Sequence, residues 1–367
     1  MTTLQPHARR GYALPQQVSL AAQTAQILRE GLQAGQWRDY LPGERELCAR
    51  FQISRPTVRA ALEQLRREGW LSVTHGKRRR ILPQRRRAAS EPRTKVIGLL
   101  SPVPLRSLPP LVLCWADELR THLSLEGFEL EFHVSQKCFA SRPASGLAGL
   151  VVRAPAAVWV LFRSAAETQR WFVERMRPCL VVGTCAPGVE LPSVDTDYRA
   201  IARHAAGLMW RRGHRRAALL LPRGGYGGDA ETEAGFREVF TASTGDPGLA
   251  LVLRHDGSVA GVESCVALAL RPPRPATAFL VARTAHVLTV MTHLLRRGLR
   301  IPQDAAVISR DNDAFLEFVT PAVTRYDISP ESFARRLLRP VIQLAQTGFA
   351  PTKPVRLMPR FVVGETI

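Results

Sequence analysis

Cations set at the start of a helix are the groups in this chain best placed to do chemistry. Ser54 is a natural N-cap, Pro56 fits the first turn behind it, and Val58, Ala61, Leu62 and Leu65 repeat at helical spacing as one apolar stripe. That stripe must be buried, which leaves Arg55, Thr57 and Arg59 near the N-terminal end, on or beside the opposite face. Guanidinium and hydroxyl groups in that position suit phosphate oxygens and base edges in a major groove. A shorter helix precedes it, with Pro42 in its first turn, Glu44 and Glu46 near the positive end of the dipole, and Leu47 and Phe51 on one face. Gly69 is read as the C-terminal cap of the longer helix. Trp70 to Val73 and Lys77 to Ile81 read as two strands turned at His75-Gly76, with Arg78, Arg79 and Arg80 on the return. A hairpin placed there is a wing. Its tip, His75, Gly76 and Lys77, is expected along the adjacent minor groove, where a small residue permits close approach of the backbone.

These residues resemble the winged-helix domain of the GntR family of transcription regulators. The likeness runs through Leu41, Pro42, Glu44, Arg45, Glu46, Leu47, Ser54, Arg55, Thr57, Val58, Arg59, Ala61, Leu62, Leu65, Glu68, Gly69 and Gly76. Val18 to Leu32 is similar to the family's preceding helix, with Ala21, Ala25, Leu28 and Leu32 inward. The resemblance implies contacts to phosphates and base edges from Arg45, Arg55, Thr57 and Arg59, and a wing role for His75 and Gly76; Ser54, Pro56, Lys77, Arg78 and Arg79 beside them are further DNA-binding candidates. Gly43 stands where the family has serine. The arginine run in the wing, where smaller residues are usual, favours phosphate contact over base reading.

Charge distribution agrees with this reading. Only four of the 51 basic residues are lysine, so richness in arginine says little by itself. Position says more: residues 1–95 hold 19 Lys+Arg against 7 Asp+Glu, so over half of the net +20 lies in about a quarter of the chain. The 367 residues allow two or three domains. No apolar run is long enough to span a bilayer, the first residues contain no apolar signal core, and the six cysteines show no metal-ligand spacing. The expectation is a cytoplasmic protein with reduced thiols, no membrane partner, no metal and no cofactor.

A winged-helix domain is assigned to residues 14–82, a polar linker to 83–93, and a second domain to 94–367. In the second domain short β-branched or leucine-rich runs alternate with amphipathic helical stretches. Such alternation predicts an α/β fold of parallel sheets flanked by helices, divided into two lobes that meet at a crevice. This half resembles the effector-binding domain of the LacI family, which shares its fold with periplasmic sugar-binding proteins. The likeness rests on VIGLLSP from Val96, the run from Leu191 to Leu221, Glu233 to Phe240, Leu294 to Asp313, and Phe318 to Leu338. It implies that Asp197 opens a helix near the cleft and that His214 sits in a structural turn. The family's usual Ala-Asn-Asp reads Ala282-Arg283-Thr284, its Gly-Phe-Asp-Asp reads Ser309-Arg310-Asp311-Asn312, and its ligand arginine is absent from Asp229 to Thr232. Strand-end placement nominates Arg106, Phe162, Arg163, Tyr226, Arg283 and Asp311 as cleft residues. The glycines of Gly224 to Gly228 lack the spacing and lysine of a phosphate loop and are read as a mobile loop.

The sequence therefore predicts a homodimeric DNA-binding transcription regulator, with repression the commoner outcome by resemblance. A small molecule, a sugar by resemblance, would bind between the lobes and shift affinity for a near-palindromic double-stranded operator. One alternative is a DNA binder whose second half is only a dimerisation scaffold. Another is a winged-helix-fused enzyme of the aminotransferase-like type. That requires a Schiff-base lysine, and neither Lys137 nor Lys353 has a matching context, so no catalytic residue is assigned.

Overall fold

A computed structural model describes residues 19–33, 36–37, 39–67, 70–72, 79–81, 94–224 and 226–367, with only the backbone described at residues 30, 33, 244 and 247. The expected wing tip (His75, Gly76 and Lys77), Arg78 beside it, the cap Gly69 and the linker 83–93 lie outside the described residues. Contacts divide the chain into two units, Met1–Glu91 and Pro92–Ile367.

In the first unit three helices, α1 (Leu20–Gln33), α2 (Glu44–Phe51) and α3 (Arg55–Arg67), precede an antiparallel pair, β1 (Leu71–Ser72) and β2 (Arg80–Ile81). The stripe Val58, Ala61, Leu62 and Leu65 of α3 is buried against Ala25 and Leu28 of α1, Leu47 of α2, and Trp70 and Leu71. The Ser54 hydroxyl accepts the Thr57 N–H at 3.4 Å and so caps α3. Pro42, expected inside the first turn of α2, lies outside it. The helix begins at Glu44, with Gly43 as an N-cap that offers no side-chain oxygen. Residues 39–41 run beside β2 as a third short ribbon, with Ile81 N–H donating to Asp39 O at 2.8 Å and Leu41 N–H to Arg79 O at 3.1 Å.

The second unit alternates strands and helices, as its patterning predicts. Its first stretch is β3 (Val96–Ser101), α4 (Pro110–Leu125), β4 (Glu129–Val134), α5 (Ala144–Arg153), β5 (Val158–Phe162), α6 (Ala166–Glu174), β6 (Cys179–Val182) and β7 (Ser193–Thr196). Next come α7 (Tyr198–Arg211), β8 (Ala217–Pro222), α8 (Gly227–Thr244), β9 (Ala250–His255), α9 (Val259–Ala269), β10 (Ala278–Val281), α10 (Thr284–Arg296), β11 (Ala306–Ser309) and β12 (Thr324–Asp327). The chain closes with α11 (Pro330–Thr347), β13 (Val355–Leu357) and β14 (Arg360–Val362). Two six-stranded sheets result. One runs β13-β7-β6-β5-β3-β4 and is parallel throughout; the other runs β14-β12-β11-β10-β8-β9 and is parallel except where β14 pairs antiparallel with β12.

Each sheet is covered on both faces, which is why its strands read as unbroken apolar runs. In β8, Ala217, Leu219 and Leu221 pack with Ile201, Met209 and Phe236, while Ala218 and Leu220 pack with Val262, Val266 and Met291 on the other side. The first lobe is built likewise. Trp115, Leu119, Phe333 and Leu337 pack on one face of its sheet, and Trp159, Trp171 and Phe172 on the other. Because α11 packs into the first lobe although β12 belongs to the second, the chain crosses between lobes three times: at residue 197, at residues 328–329 and at residues 358–359.

Candidate functional site

In the first unit the helix α3 turns Arg55, Pro56 and Arg59 to solvent, and Arg45 is exposed on α2. Thr57 is half-buried, its hydroxyl 2.8 Å from that of Ser54. These residues therefore share one surface around the start of α3, on the side opposite its buried stripe. Glu44 ties this surface to the hairpin: one carboxylate oxygen accepts from Arg59 Nε and the other from Arg79 Nη2, each at 2.8 Å. The two hydrogen bonds, with Arg79 foremost, hold the Glu44 carboxyl below its ordinary range. Arg79, expected on a phosphate backbone, is thus partly spent inside the unit, whereas Arg80 is exposed.

In the second unit a cavity of about 520 Å³ lies between the lobes. The structure brings all six nominated residues, Arg106, Phe162, Arg163, Tyr226, Arg283 and Asp311, to its lining. They get there because parallel strands deliver their carboxyl ends to one side of each sheet. Phe162 ends β5 and Arg163 follows it; Arg283 follows β10 and Asp311 follows β11. Arg106 lies in the helical turn Leu105–Ser107 beyond β3. All three crossings contribute to the wall, through Thr196, Ile328 and Pro359.

Asp229, in the first turn of α8, has a side chain only 2 % exposed. Arg310, equally buried, donates to it at 2.7 Å, to the Thr232 hydroxyl at 2.9 Å, and to both Asp311 oxygens at 3.3 and 3.2 Å. Its guanidinium lies 4.3 Å from the centre of the Tyr198 ring. Arg283 makes a two-pronged pair with the same Asp229 carboxylate, at 3.1 and 2.8 Å. Burial works against both charges. The arginines nevertheless hold Asp229 ionised below its ordinary range, and Asp311, Tyr198 and Asp229 hold Arg310 above its own. Asp195, at the end of β7, differs: burial pushes its carboxyl up to about 6, although it accepts from the Thr184 hydroxyl and the Thr196 N–H at 2.8 Å each.

Opposite, Trp115, Phe162 and Phe333 form an aromatic wall with ring centres 5.7 to 6.2 Å apart. Arg163 lies across the mouth, 5.4 Å from the Phe162 ring of its own lobe and 5.4 Å from the Tyr226 ring of the other. The glycine run was expected to be a mobile loop. Instead Gly227 and Gly228 begin α8, and Gly225 lies outside the described residues. A β-carbon at Gly227 would come within 2.7 Å of Thr184 in the other lobe, and one at Gly228 within 2.6 Å of Tyr198. Close packing against the crossing, not a turn, demands glycine there.

Sequence reasoning missed Arg310, Asp229, Asp195 and Trp115. Arg310 stood next to Asp311 in a departure already noted, but its partner Asp229 is 81 residues away and nothing local joins them. Asp197 and His214 have the places the sequence implies: Asp197 caps α7 by accepting from Ala200 N–H at 3.0 Å, and His214 meets the Thr277 hydroxyl at 3.0 Å. Among the described residues no group of three His, Cys, Asp or Glu side chains is placed to hold a metal, and no helix is long and apolar enough to cross a membrane.

The family described as bacterial regulatory proteins, gntR family, matches residues 11–81, and the periplasmic binding protein-like domain matches residues 206–367. The chain joins a GntR-family helix-turn-helix segment to a periplasmic-binding-protein-like domain. The chain is 42 % identical over 57 residues to the probable transcriptional regulator PhnF of Escherichia coli K12, covering 16 % of this chain and 22 % of that protein. It is also 25 % identical over 181 residues to the HTH-type transcriptional repressor CytR of Escherichia coli K12, covering 47 % of this chain and 50 % of that one. This chain thus spans half or less of the length of the curated relatives it matches. The transcriptional regulator CelR–cellobiose complex superposes with a TM-score of 0.65 at 19 % identity, covering 86 % of this chain and 92 % of that one, a likeness of fold.

Proposed function

We propose that the protein is a cytoplasmic, dimeric transcription regulator in which a small molecule held between the lobes changes the affinity of the winged unit for a near-palindromic operator. The observation that carries this reading is the cavity at the three crossings: any rotation of one lobe on the other reshapes it, so a ligand with different affinity for the two arrangements shifts their populations. On this reading residues 14–82 bind DNA, 83–93 connect, and 94–367 sense and dimerise. Arg45, Ser54, Arg55, Pro56, Thr57 and Arg59 face the groove, with Arg55 or Arg59 reading bases. His75, Gly76, Lys77, Arg78 and Arg79 were assigned to the wing; Arg80 joins them by its exposure. The six cleft residues contact the effector. Two relatives are supportive: CytR is named a repressor, and CelR is a regulator complexed with cellobiose. Repression and a carbohydrate-like effector follow as the working assignment, with no catalytic role.

The test is selection of bound genomic fragments by the purified protein, followed by anisotropy titration of the recovered DNA with and without candidate effectors at two salt concentrations. A preferred sequence whose affinity shifts with one small molecule supports the reading; equal binding to all DNA removes it. The self-paired cavity floor of Asp229, Arg283 and Arg310 favours a second reading, a dimerisation scaffold without effector. A thermal midpoint unmoved by any effector, in a protein that still selects DNA, would decide for the scaffold.

A further inference from the structure

We infer that the effector carries an anionic group, a carboxylate or a phosphate ester, on a hydroxylated body, and that Arg163 is the residue that meets it. This rests on the effector reading above and sharpens it. By formal charge the cavity is balanced, since Arg106, Arg163, Arg283 and Arg310 line it together with Asp195, Asp229, Asp311 and Asp313. Pairing separates the charges that are spent from those that are not. Arg310 is fully committed: buried, it holds both Asp229 and Asp311. Arg283 is then a second guanidinium on a carboxylate that already has one, and its side chain is 26 % exposed towards the cavity. It can turn to a ligand oxygen without stranding Asp229.

Among the described residues, neither Arg106 nor Arg163 has a carboxylate within ion-pair distance. Arg163 is the better prepared. Its φ of 53° is in the left-handed region, which is strained for a non-glycine residue and persists where the surroundings impose it. Its guanidinium has the Phe162 and Tyr226 rings as neighbours, each 5.4 Å away, and among the described residues it makes no ion pair. A guanidinium edge without a carboxylate partner is matched by a carboxylate or phosphate, which it can engage by two parallel hydrogen bonds. A neutral hydroxyl would leave that charge uncompensated when the lobes exclude water. Asp195 and Asp313 remain as acceptors for hydroxyl groups, and the aromatic wall suits the apolar faces of a ring.

The test uses the full chain and matched pairs of probes: hexuronates for the carboxylate arm, hexose 6-phosphates for the phosphate arm, and their neutral parent hexoses, each titrated by calorimetry. The expected result is that one anionic arm binds at least about tenfold tighter than its neutral parent, and more weakly as salt rises. Arg163→Gln should lose roughly tenfold or more for that anion and leave the neutral parent unchanged, with Arg163→Lys recovering part of the loss. An unaltered thermal midpoint without ligand shows that each variant folds. Neutral hexoses binding as tightly as both anions, or Arg163→Gln binding the anion as well as the parent protein, overturns the inference and leaves the effector reading standing. Silence from every pair overturns both.

Discussion

The two units use arginine in opposite ways. Around the start of α3, guanidinium groups stand in solvent, and the ion pair that Arg59 makes with Glu44 leaves its side chain 66 % exposed. In the cleft, Arg310 and Asp229 are each 2 % exposed and satisfied on every side. A solvated pair gains little from its Coulomb attraction and holds its partners loosely, so its cations stay available to an incoming anion. A buried pair gives no such freedom, because removing one partner strands the other in a medium that cannot solvate it. What differs is burial, not residue type. One set of arginines is poised for a partner and the other is part of the scaffold, with Arg163 and Arg283 in between.

The comparison can be broken most directly at Arg310. Arg310→Ala should destabilise the second unit by roughly 3–5 kcal/mol, because it leaves Asp229 buried with one half-exposed partner, and urea denaturation should show it. Arg283→Ala should cost clearly less, since Arg310 still neutralises the same carboxylate; equal losses would mean that the two arginines are not the scaffold and the spare that their burial suggests.

Asp195 sharpens the same contrast through pH. Its carboxyl, raised from 3.8 to about 6 by burial, takes up a proton in the folded state before it does in the unfolded chain. Its contribution to stability is therefore complete below about pH 4 and lost as pH rises through 6. Asp195→Asn should gain on the order of 2–3 kcal/mol at pH 8, with the gain vanishing towards pH 4. A gain that does not depend on pH would point to packing instead.

Smaller effects are expected in the first unit, and on binding more than on folding. Arg55→Ala should weaken the selected DNA sequence about ten- to hundredfold and random DNA much less, if it reads a base. Arg80→Ala should weaken all sequences alike and lower the salt slope by about one. Anisotropy titrations at several salt concentrations separate the two. Arg59→Ala should leave the thermal midpoint almost unmoved, because its ion pair with Glu44 leaves the arginine solvated. A large drop would make that pair structural and erase the difference between the units.

Local pattern carried much of this. The apolar stripe of α3, the capping of that helix by Ser54, the alternation of strands and helices, and the six cleft residues could all be read from spacing, because burial of one helix face and delivery of strand ends to one side of a parallel sheet are local rules. Pro42 and the glycine run misled for a reason that is also physical. The start of α2 is set by where the chain leaves the ribbon beside β2, and Gly227 and Gly228 are required by Thr184 and Tyr198, which approach them from other elements.

Composition and period thus determined the division into a basic helical unit and a two-lobed α/β unit, since both follow from which faces must be dry. Only the tertiary structure decided which charges are spent. Arg310 and Asp229 become one buried unit across 81 residues of chain, whereas Arg163, among the described residues, has ring neighbours and no ion pair. Electrostatic worth depends on distance and on solvent exclusion, and neither exists along the sequence until the sheets are stacked.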